Sequence, residues 1–493
     1  MNFGLIDWII VVAYLLGVLI FGIISGGRQK NTADYFLGAR RIPWLAVCFA
    51  VVATETSALT FLSIPGVAYA TNLNFLQLAF GYILGRIAVS FIFLPAYYRG
   101  ELATAYQFLG IRFGRKVRNF ASIVFMLTRL AADGVRLFTT AIPLAIILKN
   151  SGQFVNWSDA QIYITSIAVV SFVTFLYTFI GGVRAVIWMD VVQMFIYIGG
   201  AIAAIIVLGS KIDGGIPQVL SFSAEKFKII NWGFDKPLKD FFAQPYTLIA
   251  SLIGGAFLSM ASHGADQLIV QRLLTTDSLK NSQKALITTG FIVALQFFMF
   301  LFLGLMLYTF YNGANMNPNE VFADFIVKYM PPGISGLIIA GLFAAAMSTL
   351  AGSMSSLASS AMIDIYKPYF GKNIDEKKEL IVSRIITAIW AILLVGSAMF
   401  FMRTERTVVE LALSIASFTY GGLLGTFLLG VLSKNVNENS ALIAFISGVL
   451  MMVYIILNTK IAWTWHTFIG AGTTIIVGNL VQTFIDKFNK HRS

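Results

Sequence analysis

Glu55, Arg86, Arg129, Asp133, Arg136 and Arg272 lie inside stretches of otherwise apolar sequence. A charge so placed is costly unless it is paired, so such residues mark ion pairs or transport chemistry. Asp133 follows Arg129 by four positions and precedes Arg136 by three, one helical turn each way, so either arginine can reach it. Two arginines then share one acid, and the surplus positive charge points to an anionic solute or to a pair with Glu55. Arg86 has no acid one turn away and must find a partner across helices, unless it faces a solute path. Arg86, Arg129, Asp133 and Arg136 are the candidate intramembrane charge network; Asp190 and Gln193, also one turn apart, stand outside it.

Hydroxyl groups form a second cluster. Ser348, Thr349, Ser353, Ser355, Ser356, Ser359 and Ser360 crowd one apolar stretch just after Ala344-Ala345-Ala346. Small hydroxyl residues allow close helix packing. They also supply oxygen ligands to a hard cation such as Na+, if carbonyls freed at a helix break complete the shell. Ser348 and Thr349, opposite a break near Ala53 and Thr56, would form such a shell. On the residues alone both readings stay open.

The elements that must hold these groups are membrane helices. Of 493 residues 58% are hydrophobic and only 12% charged, and the mean hydropathy is +0.80, which excludes a water-soluble surface. Apolar runs between polar islands give about 13 candidate spans, near 5–25, 44–70, 75–98, 119–148, 160–181, 185–208, 245–273, 285–311, 333–365, 384–402, 408–433, 440–458 and 464–486. The expected fold is an all-α polytopic membrane protein seated in the lipid bilayer. The first run lacks a basic n-region and is long enough to cross, so no cleavable signal peptide is expected. One cysteine (Cys48) and three scattered histidines (His263, His466, His491) cannot build a disulfide framework or a zinc or haem cluster. The net charge of +12 resides in the loops, where it is a topology signal, so no nucleic acid is expected as a partner. Counted loop by loop, 21 Lys and Arg fall on one side and 10 on the other. That bias places the N-terminus outside and the C-terminus in the cytoplasm, for a multi-pass protein of the plasma (inner) membrane.

Two spans are interrupted. The second carries A-T-E-T-S-A-L-T (53–60) and then Pro65-Gly66, and the seventh carries Gly254-Gly255 followed by Ser259, Ser262, His263, Gly264, Asp266, Gln267, Gln271 and Arg272. An interruption marks backbone that lines a cavity rather than lipid. The two lie five spans apart, and an odd offset reverses orientation, so two inverted repeats of five helices are expected, with broken first and sixth core helices. The domain reading is a peripheral first helix and cytoplasmic loop (1–43), repeat one (44–208), an extracellular loop (209–243), repeat two (244–433) and two peripheral C-terminal helices (434–493). A solute would sit beside the breaks, where the candidates are Ser57, Thr60, Gln77, Phe80, Tyr82, Ser259, Ser262, His263, Phe418 and Tyr420. Asp266, Gln267, Gln271 and Arg272 are expected to hold the second half of the broken seventh span to nearby loops.

The motifs A-D-Y-F-L-G (33–38), A-T-E-T-S (53–57) with Pro65-Gly66, R-G-E-L-A-T-A-Y-Q-F-L (99–109), the W-M-D-V-V-Q segment (188–193), D-Q-L-I-V-Q-R (266–272) and A-A-A-M-S-T-L-A-G-S-M-S-S (344–356) leading to D-I-Y (364–366) follow a specific order and spacing. In that order the chain resembles the sodium/solute symporter family over nearly its whole length, a family that includes sodium-coupled sugar, sialic acid, proline and monocarboxylate carriers. The resemblance implies the five-plus-five inverted-repeat fold, alternating access, and sodium-coupled symport of a small polar solute: a sugar, polyol, amino acid or carboxylate. It implies Na+ as coupling ion, held by the carbonyls of Ala53, Thr56 and Ala345 and the hydroxyls of Ser348 and Thr349. Further serines that hold a second sodium in some members read Ala351 and Gly352 here, so that pattern is incomplete.

In the proline branch an acid stands at the position of Glu55, implying a part in coupling; a proton-coupled carrier using Glu55 is the alternative reading. Asp190 would lie on the ion's inward release route, unless it only caps a helix or anchors a loop. Ser57 and Thr60 match solute-contact positions of the sugar and sialic acid members. Other ligands of those members are missing: the sugar members' glutamine falls at Leu413 and their lysine near Val293, while the sialic acid members' arginine falls near Ala132, with Arg129 and Arg136 displaced from it. A channel or a sensor is a further alternative. No enzyme is expected, because no nucleophile, base or metal set is grouped, and the oligomeric state is not legible.

Overall fold

The computed structural model describes residues 4–150, 154, 156–234, 237–318, 320–371, 374–402 and 408–490. In chain order its long helices are α1 (Leu5–Gly26), α2 (Trp44–Glu55), α3 (Ala58–Ala70), α4 (Leu76–Ile92), α5 (Arg115–Asn150), α6 (Asp159–Lys211) and α7 (Leu248–Met260). They continue with α8 (Gln267–Leu273), α9 (Leu279–Phe310), α10 (Ile334–Ser360), α11 (Glu376–Phe401), α12 (Val408–Leu432), α13 (Glu438–Asn458) and α14 (His466–Lys490). Among the described residues, 9 helices are long and apolar enough to cross a membrane. The other crossings have evident reasons for falling outside that count. One is the broken pair α2/α3, another is α5, which carries charges along its length, and a third is α12, whose described apolar part is short.

The fourth is hidden in α6. Its 53 residues would run about 80 Å at 1.5 Å each, well over twice the thickness of a hydrocarbon core of about 30 Å. It is divided at Gly182, whose φ of 59° and ψ of −160° are open to glycine and strained for other residues. The fifth and sixth expected spans therefore meet there.

Three helix starts correct the expected boundaries, one of them α9, which begins at Leu279 rather than near 285. α11 begins at Glu376 rather than near 384, and α5 at Arg115 rather than near 119. Their first turns are charged, and a charged turn extends the helix into water beyond the apolar run that marks the membrane. Of the charges counted for orientation, Lys236, Lys372, Arg403, Arg406 and Arg492 lie outside the described residues, as does the side chain of Leu413.

Both expected breaks are present. α2 stops after Glu55, Thr56 is extended (φ −87°, ψ 97°), and Ser57 caps α3 by accepting the Thr60 amide at 3.3 Å. The hydroxyls of Thr54 and Thr56 donate back to the carbonyls of Ala50 and Val52 at 2.8 and 2.9 Å, the back-bonding that loosens helix geometry. The interruption thus lies at Thr56–Ser57, and Pro65 is carried inside α3. In the seventh span a π-helical turn, Ala261–Ala265, precedes an extended Asp266 whose carboxylate caps α8 by accepting the Leu268 amide at 2.9 Å.

Between the broken pairs lies α10. The apolar window of the span it leads is 89% buried, against 22% for those of α1 and α11, so α10 is a core helix and the other two flank the bundle. α1 nonetheless holds α10: Asp7 is fully buried and accepts the Gly333 and Gly336 amides, each at 2.7 Å, capping the helix that carries the hydroxyl cluster.

Candidate functional site

At the first break the carbonyls of Ala53 and Thr56 accept no backbone hydrogen bond from any described residue. In a continuous helix the amides of Ser57 and Thr60 would occupy them, but the extended Thr56 removes the first and the Ser57 cap takes the second. Buried carbonyls released in this way are what a hard cation requires. Ala345 and Thr349 on α10 line a cavity with Ser57, Asp133, Arg136, Leu137, Thr140, Ala346 and Leu350, so the break and the hydroxyl-bearing face of α10 meet at one space. The Thr349 hydroxyl donates to the Ala345 carbonyl at 3.2 Å, and the Ser348 hydroxyl donates to Asp190 at 2.6 Å. A hydroxyl whose proton is taken by a protein acceptor keeps its lone pairs for a cation. Asp190 is fully buried, accepts Thr54 at 3.4 Å, and pairs with Arg272 at 2.9 Å. Its partners join α6, the first break, α10 and α8.

Glu55, the last residue of α2, pairs with Arg86 at 2.5 Å, and Arg86 also donates to Thr289 on α9 at 2.8 Å. Arg86 is fully buried, and its pair with Glu55 crosses from α4 to α2. His263 approaches the same carboxylate, with Nε2 3.6 Å from Glu55 and Nδ1 2.8 Å from the Ser262 hydroxyl. Ser259 donates to the Tyr82 carbonyl at 3.2 Å, and the Tyr82 ring lies 6.0 Å from the Arg86 guanidinium. Glu55, Tyr82, Arg86, Ser259, Ser262 and His263 thus form one cluster between the two broken spans.

The remaining charges form a second network. Asp133 accepts Arg129 at 3.2 Å, Arg136 at 3.4 Å and the Ser353 hydroxyl at 2.5 Å. Arg129 also pairs with Asp266 at 2.5 Å, and the Tyr420 hydroxyl donates to Asp266 at 2.7 Å. Asp266 was expected to face loops; it supplies the second acid instead, so the two arginines of α5 face two carboxylates and the apparent surplus of charge disappears. Arg136 is 31% exposed and lines the cavities on both sides of it, whereas the side chains of Arg86, Arg129 and Arg272 are 0, 6 and 1% exposed.

Two expected solute contacts stand elsewhere. Gln77 is fully buried and held by the loop over α4, donating to the Tyr246 carbonyl at 3.0 Å and accepting the Asn231 amide at 3.1 Å. Phe80 is 39% exposed on the outside of the bundle. Ser57 and Thr60 face each other across the cap, their hydroxyls 3.3 Å apart, and Phe418 is half-buried. Gln267 and Gln271 do hold loops, through the Ala103 carbonyl at 3.1 Å and the Phe36 carbonyl at 2.9 Å. The hydroxyls of α10 also serve packing, Ser353 on Asp133 and Ser355 on Gln271. Gln296 escaped the sequence reading: it donates to the Thr56 hydroxyl at 2.6 Å. Its signal was a lone amide in the apolar run Val293–Phe300.

The model of the sodium:solute symporter family matches residues 35–448. The sodium/sialic acid symporter NanT of Aliivibrio fischeri is 30% identical over 491 residues, 97% of this chain and 93% of the relative. The sodium-coupled monocarboxylate transporter 1 of Xenopus laevis is 26% identical over 473 residues, 93% of this chain and 73% of the relative. A solved Na+-coupled sialic acid symporter, in a substrate-bound outward-open state, is similar with a TM-score of 0.85 at 28% identity, covering 98% of each chain.

Proposed function

The chain belongs to the sodium:solute symporter family, and from that premise we propose that it carries a small organic carboxylate together with Na+. Its fold is the five-plus-five inverted-repeat transporter fold with broken first and sixth core helices, and it works as a sodium-coupled symporter by alternating access. The ion is assigned to the carbonyls of Ala53, Thr56 and Ala345 with the hydroxyls of Ser348 and Thr349. The solute is assigned to the adjoining cavity, with Ser57 and Thr60 at its edge and the Glu55–His263 cluster between the broken spans. The repeats are assigned to 44–208 and 244–433.

The observation that carries the carboxylate is Arg136. It is the partly exposed guanidinium at a cavity that also holds Ser57 and Thr349. Its partner Asp133 keeps Arg129 and Ser353 when Arg136 turns to a solute, so the exchange strands no buried charge. A guanidinium matches a carboxylate with two parallel donors, which a sugar or polyol cannot use as well. The relatives named for sialic acid and for monocarboxylates handle acids. Na+ beside the bound anion offsets its charge, so each ligand favours the occupied site of the other, and the coupling is a difference in affinity between the states.

The test is thermal stability of the purified full chain against sialic acid, short monocarboxylates, hexoses and polyols, in Na+ and in K+. A ligand at a hundred times its Kd adds about 2.7 kcal/mol of stability. A carboxylate is expected to raise the melting temperature in Na+ only. Stabilisation by an uncharged sugar and by no acid would overturn the assignment.

A further inference from the structure

Polar groups inside α9 are few, and two of them share a face. Thr289 and Gln296 are seven residues apart, two helical turns, and both reach the first break. Thr289 does so through Arg86 and Glu55, at 2.8 and 2.5 Å. Gln296 does so directly, its Nε2 2.6 Å from the Thr56 hydroxyl. The amide is 3% exposed and occupied at both ends, since the fully buried Tyr197 of α6 donates to Oε1 at 3.5 Å. The donor end is fixed by elimination. The Thr56 hydroxyl gives its proton to the Val52 carbonyl at 2.9 Å, so toward Gln296 it can only accept.

We propose that Gln296 is a positioning residue for the coupling ion, pinning Thr56 in its extended conformation so that the Thr56 carbonyl is aimed into the break. The inference rests on the assignment of that carbonyl to the Na+ shell. Its physical basis is competition. With the pin removed, Thr56 can relax toward helical ψ, and a continuing helix would offer the Ala53 and Thr56 carbonyls to the amides of Ser57 and Thr60. Carbonyls captured by the helix are lost to the cation. Three bonds converge on Thr56: its amide and its hydroxyl both donate to the Val52 carbonyl, at 3.1 and 2.9 Å, and the Gln296 amide donates to the hydroxyl. The first two lie within α2 and are compatible with a helix; the third, from Gln296, ties the break to α9. In an apolar span its amide has no competing water, which makes the tie selective for one geometry.

The test uses Na+ itself and needs no solute: 22Na+ binding to the purified full-length protein, with K+ holding the ionic strength. Gln296→Leu is expected to raise the half-saturating Na+ concentration about tenfold. Thr56→Val, which keeps the ligand carbonyl and the side-chain shape but has no hydroxyl, is expected to match it, and Thr56→Ser to restore the wild-type value. The double variant Gln296→Leu/Thr56→Val should be no worse than either single change, because both remove one bond. A wholly structural role would lower yield or melting temperature and leave the Na+ half-saturation alone. If Gln296→Leu does not fold, the Thr56→Val and Thr56→Ser pair decides the matter. Ser348→Ala separates the two levels of inference. Loss of Na+ binding there, with unchanged binding in Gln296→Leu and Thr56→Val, overturns the positioning role alone. Unchanged binding in all of them overturns the ion site beneath it, and tenfold effects that multiply in the double variant also overturn the pin.

Discussion

Arg136 and Arg129 sit on the same helix, seven residues apart, yet their surroundings assign them different work. Arg129 is buried between two carboxylates and the Tyr420 hydroxyl, which leaves it no freedom to meet a solute. Among the described residues Arg136 has one ion-pair partner, Asp133 at 3.4 Å, shared with Arg129, and its side chain is 31% exposed. Replacing Arg136 with alanine should therefore remove charge-assisted hydrogen bonds to the solute worth about 1.5–3 kcal/mol, raising the solute half-saturation by roughly ten- to a hundredfold. Arg136→Lys keeps the charge without the fork and should recover only part of this. Sodium binding should change little in either variant. Transport kinetics at fixed Na+, read beside 22Na+ binding, check the split; equal losses of both would show that Arg136 holds the fold rather than the solute. Arg129→Ala is the opposite case. It strands Asp133 and Asp266 in the core, and a loss of about 3–5 kcal/mol of stability is expected before any kinetic effect can be read.

Helix pairing explains why some of this was legible in the sequence and some was not. Lengths of apolar runs, the interruption after Glu55 and the crowding of hydroxyls after Ala346 are local properties, and all of them survive in the structure. Partners across helices are not local: Arg129 and Asp266 are separated by 137 residues and Gln296 and Thr56 by 240, so no spacing rule could join them. Gln77 misled for a related reason, because its position beside the break is visible in sequence while the loop that folds over and occupies it is not. The crossing of α4 and α7 is a middle case, written as a small-residue motif whose partner needs the structure. Gly81 and Gly85, four apart on α4, receive the carbonyls of Ser251 and Ala256 on α7, and a Cβ at either glycine would run into them. Gly81→Ala should cost about 1–3 kcal/mol through forced separation of the two helices. Gly17→Ala on α1, where a Cβ meets nothing within 4 Å, should be neutral or slightly stabilising. Melting temperatures of the two variants in one detergent provide the comparison, and equal behaviour would remove close packing as the reason for the glycines.

Across the whole molecule, direction is the property that the bundle's own contacts leave open, because an inverted-repeat core looks alike from both faces. Charge breaks the symmetry. The 21 Lys and Arg assigned to one face against 10 on the other are an excess that topology rules place in the cytoplasm. The structure adds a physical reason to trust the larger group: many of its members lie in short connections close to the helix ends, where the rule is strongest, as with Arg115, Lys116 and Arg118 in the first turn of α5. Half of the smaller group lies at the end of α6 and in the segment between it and α7. There Lys226 is tied down, donating to the carbonyls of Tyr69 and Thr71 at 2.9 and 3.1 Å, and burial pushes its pKa below that of a free lysine. On the positive-inside reading α1 would enter from outside, and an odd number of crossings would bring the end of α14 to the cytoplasm. A fluorescent protein fused after Ser493 should therefore fluoresce in intact bacterial cells, while alkaline phosphatase at the same place should be inactive. A cysteine introduced at Asn458, in a Cys48→Ala background, should react with an impermeant maleimide added from outside, and one at Asn437 should react only after the membrane is opened. The reverse labelling pattern would turn the molecule over and exchange the faces at which ion and solute enter and leave.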